Sequence, residues 1–277
     1  MLVQATGKKI PILMYHSISQ NASPRFRPFT VSPASFADQM EYLHRQAYTP
    51  FTITQLIDMR VQGYATLPAR PVVITFDDGF ADFFTDALPV LKRYNFPATL
   101  YITTACLNGT SHWMRHEGET TRPMLRWDQL GEISAQGIEC GAHSHNHYQL
   151  DTLPHEMARK EIVESKRLLE QHLDREVLSF AYPYGYYTAV TRRLVREAGY
   201  TSACAVKFAM SSERTDPFAL ARFIVSRDMS KDAFATQLCG QTPIATTLYK
   251  QTRTLVWQLI RRSSSRVTRR LQVGEAV

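Results

Sequence analysis

Cysteine is scarce in this sequence and its paired motifs are missing: Cys106, Cys140, Cys204 and Cys239 stand far apart and form no Cys-x-x-Cys. That excludes a thiolate zinc site and a small disulfide-stapled scaffold, and leaves reduced, mostly buried thiols as the expectation. No apolar run approaches the roughly 20 residues that cross a bilayer. The first such run, Ile10 to Tyr15, is too short for a secretory leader and has no small-residue cleavage site behind it. A cytoplasmic address is the expectation. Internal repeats and low-complexity linkers are also lacking, and none of the nine histidines follows His172.

What is present is a chain of 277 residues, 44% hydrophobic, enough for one sizeable α/β domain. Its net charge of +7 is unevenly placed. Between Leu248 and Val277 seven basic side chains face Glu275 alone, so only +1 is left for everything before. The body is nearly neutral, and the basicity belongs to an appendage. Two parts are expected: residues 1–240 as the folded domain and 241–277 as a basic helical tail. In the tail Leu248, Leu255, Val256, Leu259 and Ile260 recur on one helical face. Such a face either packs on the body or rests on an anionic membrane surface at the inner leaflet. Nucleic acid is not expected as a partner, because no aromatic residues interleave with basic ones.

Short apolar runs alternate with longer helical patterns. Ile10 to Tyr15, Val72 to Phe76, Ala98 to Thr103, Ile138 to Cys140 and Val177 to Ala181 read as strands. Ser35 to Gln46, Phe84 to Tyr94, Trp127 to Ala135, His155 to His172 and Ala189 to Ala198 read as helices. The alternation implies parallel strands with helical crossovers, in an open sheet or a barrel, with the ligand site beyond the carboxyl ends of the strands. Leu107 to Arg126 is a long polar connection without periodicity, expected to overhang that site.

Three strand ends carry chemistry. Val72 to Phe76 runs into Asp77-Asp78-Gly79. Neighbouring side chains on a strand point to opposite faces, so both acids reach one site only if the chain turns, which Gly79 permits. Two carboxylates brought together repel, and a divalent cation relieves them. A solvated turn with Asp78 capping the next helix is the plainer alternative. Gly141-Ala142-His143-Ser144-His145-Asn146-His147 follows the next motif-bearing strand. Imidazoles four apart, with a carboxylate, make a three-ligand shell that leaves a position open for water. His112 and His116 repeat the spacing, but no strand or acid pair feeds them. The third motif, Phe180-Ala181-Tyr182-Pro183-Tyr184-Gly185, ends a strand in a turn where a backbone N–H can face an oxyanion.

With Thr-Phe-Asp-Asp-Gly, His-Ser-x-x-His and the Pro-Tyr turn in this order, the chain resembles the polysaccharide deacetylases, the NodB-homology group of carbohydrate esterase family 4, from about Ile10 to Leu238. The resemblance implies a distorted (β/α) barrel of about seven strands and a zinc, cobalt or nickel ion. It implies Asp77 as general base, Asp78, His143 and His147 as metal ligands, and a backbone N–H of Tyr184 for the oxyanion. Ile12-Leu13-Met14-Tyr15-His16 is similar to the first strand of a biofilm-polysaccharide deacetylase subgroup whose motifs are circularly permuted, which makes His16 the candidate acid. A structural, hydrogen-bonded histidine is the alternative there. Trp113 in the long loop is the candidate to stack on a sugar, or else covers apolar surface.

Two departures stand out. Ala181 occupies the place where many relatives have the Arg that orients the base, so something else must hold Asp77. The late Leu-His motif that usually brings the acid is missing. The implied activity is removal of N-acetyl groups from an acetylated glycan or lipid-linked sugar. Acetylxylan-type O-deacetylation, deformylation of a lipid-linked aminosugar and an inactive carbohydrate-binding relative stand beside it.

Overall fold

The computed structural model describes residues 9–207 and 209–240; the tail expected at 241–277 lies outside them. Seven parallel strands close into a ring: β1 (Ile12–Tyr15), β2 (Pro71–Phe76), β3 (Ala98–Ile102), β4 (Ile138–Ala142), β5 (Ser179–Ala181), β6 (Ser202–Val206) and β7 (Leu220–Ile224). β1 shuts the ring, pairing with β2 from Ile12↔Val73 to Tyr15↔Phe76 and with β7 through Phe223↔Leu13 and Ile224↔Met14. The ring is uneven. β3 and β4 share five residue pairs, whereas β4 and β5 share only Ala142↔Phe180. This is the distorted (β/α) barrel that the family resemblance implied. A further short strand, Thr49–Phe51, pairs with the first half of β2.

Helices α1 (Pro33–Arg45), α2 (Ile53–Val61), α3 (Leu88–Tyr94), α4 (Trp127–Ala135), α5 (His155–Leu173), α6 (Ala189–Glu197) and α7 (Lys231–Leu238) accompany the strands. Local chemistry fixes their ends. Ser32 accepts the N–H of Ser35 to start α1, Pro33 sits in its first turn, and Phe36, Met40 and Leu43 are fully buried one or two turns apart. Each such side chain contributes about 2 kcal/mol of burial. The helix expected from Phe84 opens instead as a π turn, Phe83–Ala87, before α3. Pro89 has no N–H to return to the preceding turn, so the spiral widens there. Pro11 likewise splits the first strand: Lys9–Ile10 pairs antiparallel with Ser211–Ser212, and only Ile12 onward enters the barrel.

Alternation along the strands separates two cores. Leu13, Tyr15, Val72, Ile74, Phe76, Leu100 and Ile102 pack outward with the helices, while Ile12, Val73, Tyr101, Ala181, Cys204 and Leu220 form an inner cluster with Ile53 and Leu56 of α2. α2 therefore closes the amino-terminal end of the barrel. Glu139 of β4 binds the backbone N–H and hydroxyl of Thr54, at 3.0 and 2.9 Å, together with the hydroxyls of Thr99 and Ser179. Tyr101 fits because β4 has Gly141 beside it, where a Cβ would come within 2.6 Å of the ring. Cys106, Cys140 and Cys204 are free and buried, as expected, and Cys239 is free and exposed. No helix among the described residues is long and apolar enough to cross a membrane.

Candidate active site

The site forms where β2, β4 and β5 end. The ladder between β1 and β2 continues one residue past the strand, with the Asp77 N–H donating to the Tyr15 carbonyl at 2.9 Å. The chain then turns, one residue earlier than the glycine suggests: Asp78 has φ +78° and Gly79 φ +87°. Left-handed backbone at a residue with a side chain costs about 1–3 kcal/mol and persists only where surrounding contacts dictate it. Here the Asp78 carbonyl accepts from Thr103 at 3.2 Å and that of Gly79 from Leu125 at 2.9 Å. The turn brings both acids, each nearly inaccessible, to the same mouth of the barrel.

His143 leaves β4 with its N–H on the carbonyl of Ile102 at 2.9 Å. Its Nδ1 lies 2.8 Å from the carbonyl of Ala181. Donation to that carbonyl fixes the tautomer and turns Nε2 toward Asp78. Ser144 and His147 are left-handed, with φ +62° and +59°, and the His147 N–H donates to the Ser144 hydroxyl at 3.1 Å. The result is convergence. Asp78 Oδ1 lies 3.2 Å from Nε2 of His147 and 3.5 Å from Nε2 of His143. One donor atom from each of Asp78, His143 and His147 falls within 4.8 Å of the others, all three residues buried.

These residues fit a divalent ion. Bonds of about 2.1 Å in a tetrahedral shell place neighbouring ligand atoms roughly 3.4 Å apart, close to the 3.5 and 3.2 Å that separate Asp78 Oδ1 from the two imidazoles. Asp78 Oδ1 is buried and has no hydrogen-bond partner, although two imidazoles face it. Burial would raise the Asp78 pKa, but the His147 contact and the other imidazoles outweigh it and hold the carboxyl below its usual range. Burial drives His143 the other way, down to about 4, against the pull of Asp77. At neutral pH this gives a carboxylate and a neutral imidazole, both in metal-binding form.

Asp77 is held by a residue that the sequence reading missed. Arg222, from the middle of β7 and 0% exposed, meets the carboxylate end-on through both terminal nitrogens, Nη1 to Oδ1 at 2.6 Å and Nη2 to Oδ2 at 2.7 Å. Nη1 also reaches the Thr75 hydroxyl at 3.1 Å, and the guanidinium stands 5.4 Å from the Tyr101 ring. Burial raises the Asp77 pKa, yet Arg222 and then His143 lower it further, so the acid stays ionised. A charged residue inside an apolar strand gives little hint of this; the only signal was the vacancy at Ala181, which asks for a cation from elsewhere.

The remaining candidates meet in one cleft of about 400 Å³ with Asp77, Asp78, His143 and His147. His16 lines it, half-buried, with Nδ1 unpartnered and its ring edge-on to Phe29 at 5.3 Å. Burial lowers its pKa, with Asp78 and Asp77 pulling it back. The alternative of a hydrogen-bonded structural histidine finds no support at that nitrogen. Tyr184 sits at the Pro-Tyr-Gly turn with φ +60°, its ring 4.7 Å from His147. Trp113 lies 5.1 Å from the same imidazole and also packs on the Phe80 side of the long loop, 6.3 Å away. That loop does overhang the site. Arg122 fastens it, reaching Glu119 at 3.1 Å and the carbonyl of Asn21 at 2.7 Å with its guanidinium over Phe26. His112 and His116 are exposed on the loop and line no part of the cleft.

Residues 64–203 match the family profile described as polysaccharide deacetylase. YxkH of Bacillus subtilis (strain 168), a provisionally named polysaccharide deacetylase, is 30% identical over 83% of this chain and 76% of its own length. The chain belongs to the polysaccharide deacetylase family. This deacetylase is also 24% identical to the poly-β-1,6-N-acetyl-D-glucosamine N-deacetylase of Staphylococcus epidermidis, over 80% of this chain and 76% of that one. In fold it resembles the Streptococcus pyogenes deacetylase PplD, with a TM-score of 0.73, 24% identity and coverage of 84% and 99%. It resembles IcaB of Ammonifex degensii similarly, with a TM-score of 0.70, 23% identity and coverage of 84% and 97%.

Proposed function

We propose that this deacetylase removes N-acetyl groups from a glycan or lipid-linked sugar containing N-acetylglucosamine, with a divalent ion, zinc in the first instance, held by Asp78, His143 and His147. The observation that carries the reading is the convergence of one donor atom from each of these three buried side chains within 4.8 Å, in the same cleft as Asp77, which Arg222 holds from behind. The activity for which the Staphylococcus epidermidis relative is named supports an N-acetylglucosamine polymer as the substrate class.

An ion in that position supplies a Lewis acid for the acyl carbonyl and brings the pKa of a water toward about 7. Asp77, kept ionised by Arg222, takes the proton of the attacking water. Arg222 occupies one direction at each of its oxygens, and Oδ2, 3.9 Å from Nε2 of His143, is the one facing the ligand cluster. His16 gives a proton to the departing nitrogen. Its lowered pKa leaves it neutral at rest, so it gains that proton during the cycle, and we assign Asp77 as the source. The Tyr184 N–H steadies the oxyanion, and Trp113 offers a ring face to the sugar.

Acetate release from N-acetylglucosamine oligomers, with and without chelator and with zinc restored, tests the reading. Release that chelation stops and zinc restores is expected. Release from acetylxylan alone would make the protein an O-deacetylase, and loss of formyl rather than acetyl groups a deformylase. Silence on every substrate by zinc-loaded protein would leave a carbohydrate-binding relative.

A further inference from the structure

The loop that carries both imidazole ligands is gripped from outside the barrel by a single carboxylate. Glu161 lies mid-way along α5 and is 6% exposed. Its Oε2 accepts the N–H of His145 at 3.1 Å and that of Asn146 at 2.7 Å, and its Oε1 accepts Nδ2 of Asn146 at 2.7 Å. Among the described residues no lysine, arginine or histidine lies within ion-pair distance of it. A buried carboxylate without a counter-cation depends on its hydrogen bonds. Here all three come from one pair of residues in the ligand loop.

The far side of the loop is held as well. The Ala105 N–H donates to the His145 carbonyl at 2.9 Å, and the Thr104 hydroxyl lies 2.9 Å from Nδ1 of His145. His145 and Asn146, two of the three residues between the imidazole ligands of the proposed shell, are thus the ones clamped. The left-handed residues Ser144 and His147 flank them. The clamp acts on the backbone between the ligands, where a small rotation would swing His147 Nε2 away from Asp78.

We propose that Glu161 is a positioning residue for the metal centre: it sets the pitch of the 143–147 loop so that both imidazoles meet Asp78. This rests on the metal-site reading above. Glu161 touches neither the ion nor the substrate and acts only through the loop.

Zinc affinity, read by competition with a chromophoric chelator on the full chain, tests the proposal alongside the melting temperature of metal-free protein. Glu161→Ala is expected to weaken zinc binding by about 10- to 100-fold, the usual effect of removing a group that orients ligands. Glu161→Gln keeps an acceptor oxygen for the two backbone N–H groups, and the Asn146 amide can turn to match it. It is expected to recover most of the affinity. If Glu161→Ala does not fold, Glu161→Asp, with its carboxylate withdrawn by one methylene, carries the test and is expected to weaken zinc binding about tenfold. Glu161→Ala, or Glu161→Asp where the alanine variant does not fold, binding zinc as tightly as the parent, whatever its melting temperature, overturns the proposal while leaving the metal site intact. A parent protein that takes up no zinc overturns both.

Discussion

Arg222 and Asp77 face each other across the inside of the barrel, the guanidinium of β7 set end-on against the carboxylate that follows β2, at 2.6 and 2.7 Å. The family pattern brings a cation to this acid from the strand end at position 181, which here is a fully buried alanine. The same need is met by another strand, because in a closed ring several positions look at one interior point. Thr75 and Tyr101 complete the cradle for the guanidinium.

Replacing Arg222 with Lys removes the two-pronged geometry while keeping the charge, and replacing it with Ala leaves a buried carboxylate unpaired. Arg222→Ala is expected to lose about 3–5 kcal/mol of stability in urea unfolding. Both variants are expected to lose most acetate release. An Arg222→Lys protein with parental turnover would remove the orienting role.

The same variants should move a pH profile. Asp77 is held below its usual pKa against the effect of burial, chiefly by Arg222. Without the guanidinium, burial wins and the carboxyl pKa rises. The acidic limb of kcat/KM is then expected to shift to higher pH in Arg222→Lys and further in Arg222→Ala, and an unmoved limb would argue that Asp77 is not the group titrating.

Asp77→Asn is expected to keep its zinc and lower turnover by about 100- to 10,000-fold, as removal of a general base does. His16→Ala should keep its zinc too and lose about 100-fold or more. Metal content by atomic absorption, measured with acetate release, checks both. Full turnover by metal-replete Asp77→Asn would end the assignment of the base, and full turnover by His16→Ala that of the acid.

His143 predicts how metal-free protein responds to acid. Its folded pKa of about 4 lies below the ordinary 6.5, so between those values the unfolded chain binds the extra proton. Stability therefore rises with pH across that window and drains away as pH falls from about 6.5 to 4. The slope of melting temperature against pH is expected to flatten there in His143→Gln, and an unchanged slope would mean that other groups set it.

Much of this site was legible because β2, β4 and β5 each deliver their motif immediately after an apolar run, so order along the chain is also order around the barrel mouth. β6 and β7 were not foreseen. Ser202–Val206 is built of small residues and Leu220–Ile224 has Arg222 at its centre, and both lack the β-branched, uninterrupted pattern that marks β2. Arg222 could not be read as the partner of Asp77 from 145 residues away in sequence, since ring closure, and not any local pattern, makes them neighbours. The turn at Asp78 was expected at Gly79, because local propensity favours glycine where tertiary bonds to Thr103 and Leu125 in fact dictate the bend.

The helix that stoppers the floor of the barrel makes traffic one-sided. Among the described residues Ile53 and Leu56 pack into the inner cluster below, and Glu139 ties Thr54 to the barrel, so the base is plugged. Whatever small acid is clipped off must back out by the doorway through which the sugar came in. Acetate should therefore queue against fresh substrate, and competitive product inhibition would be the kinetic trace of a sealed floor.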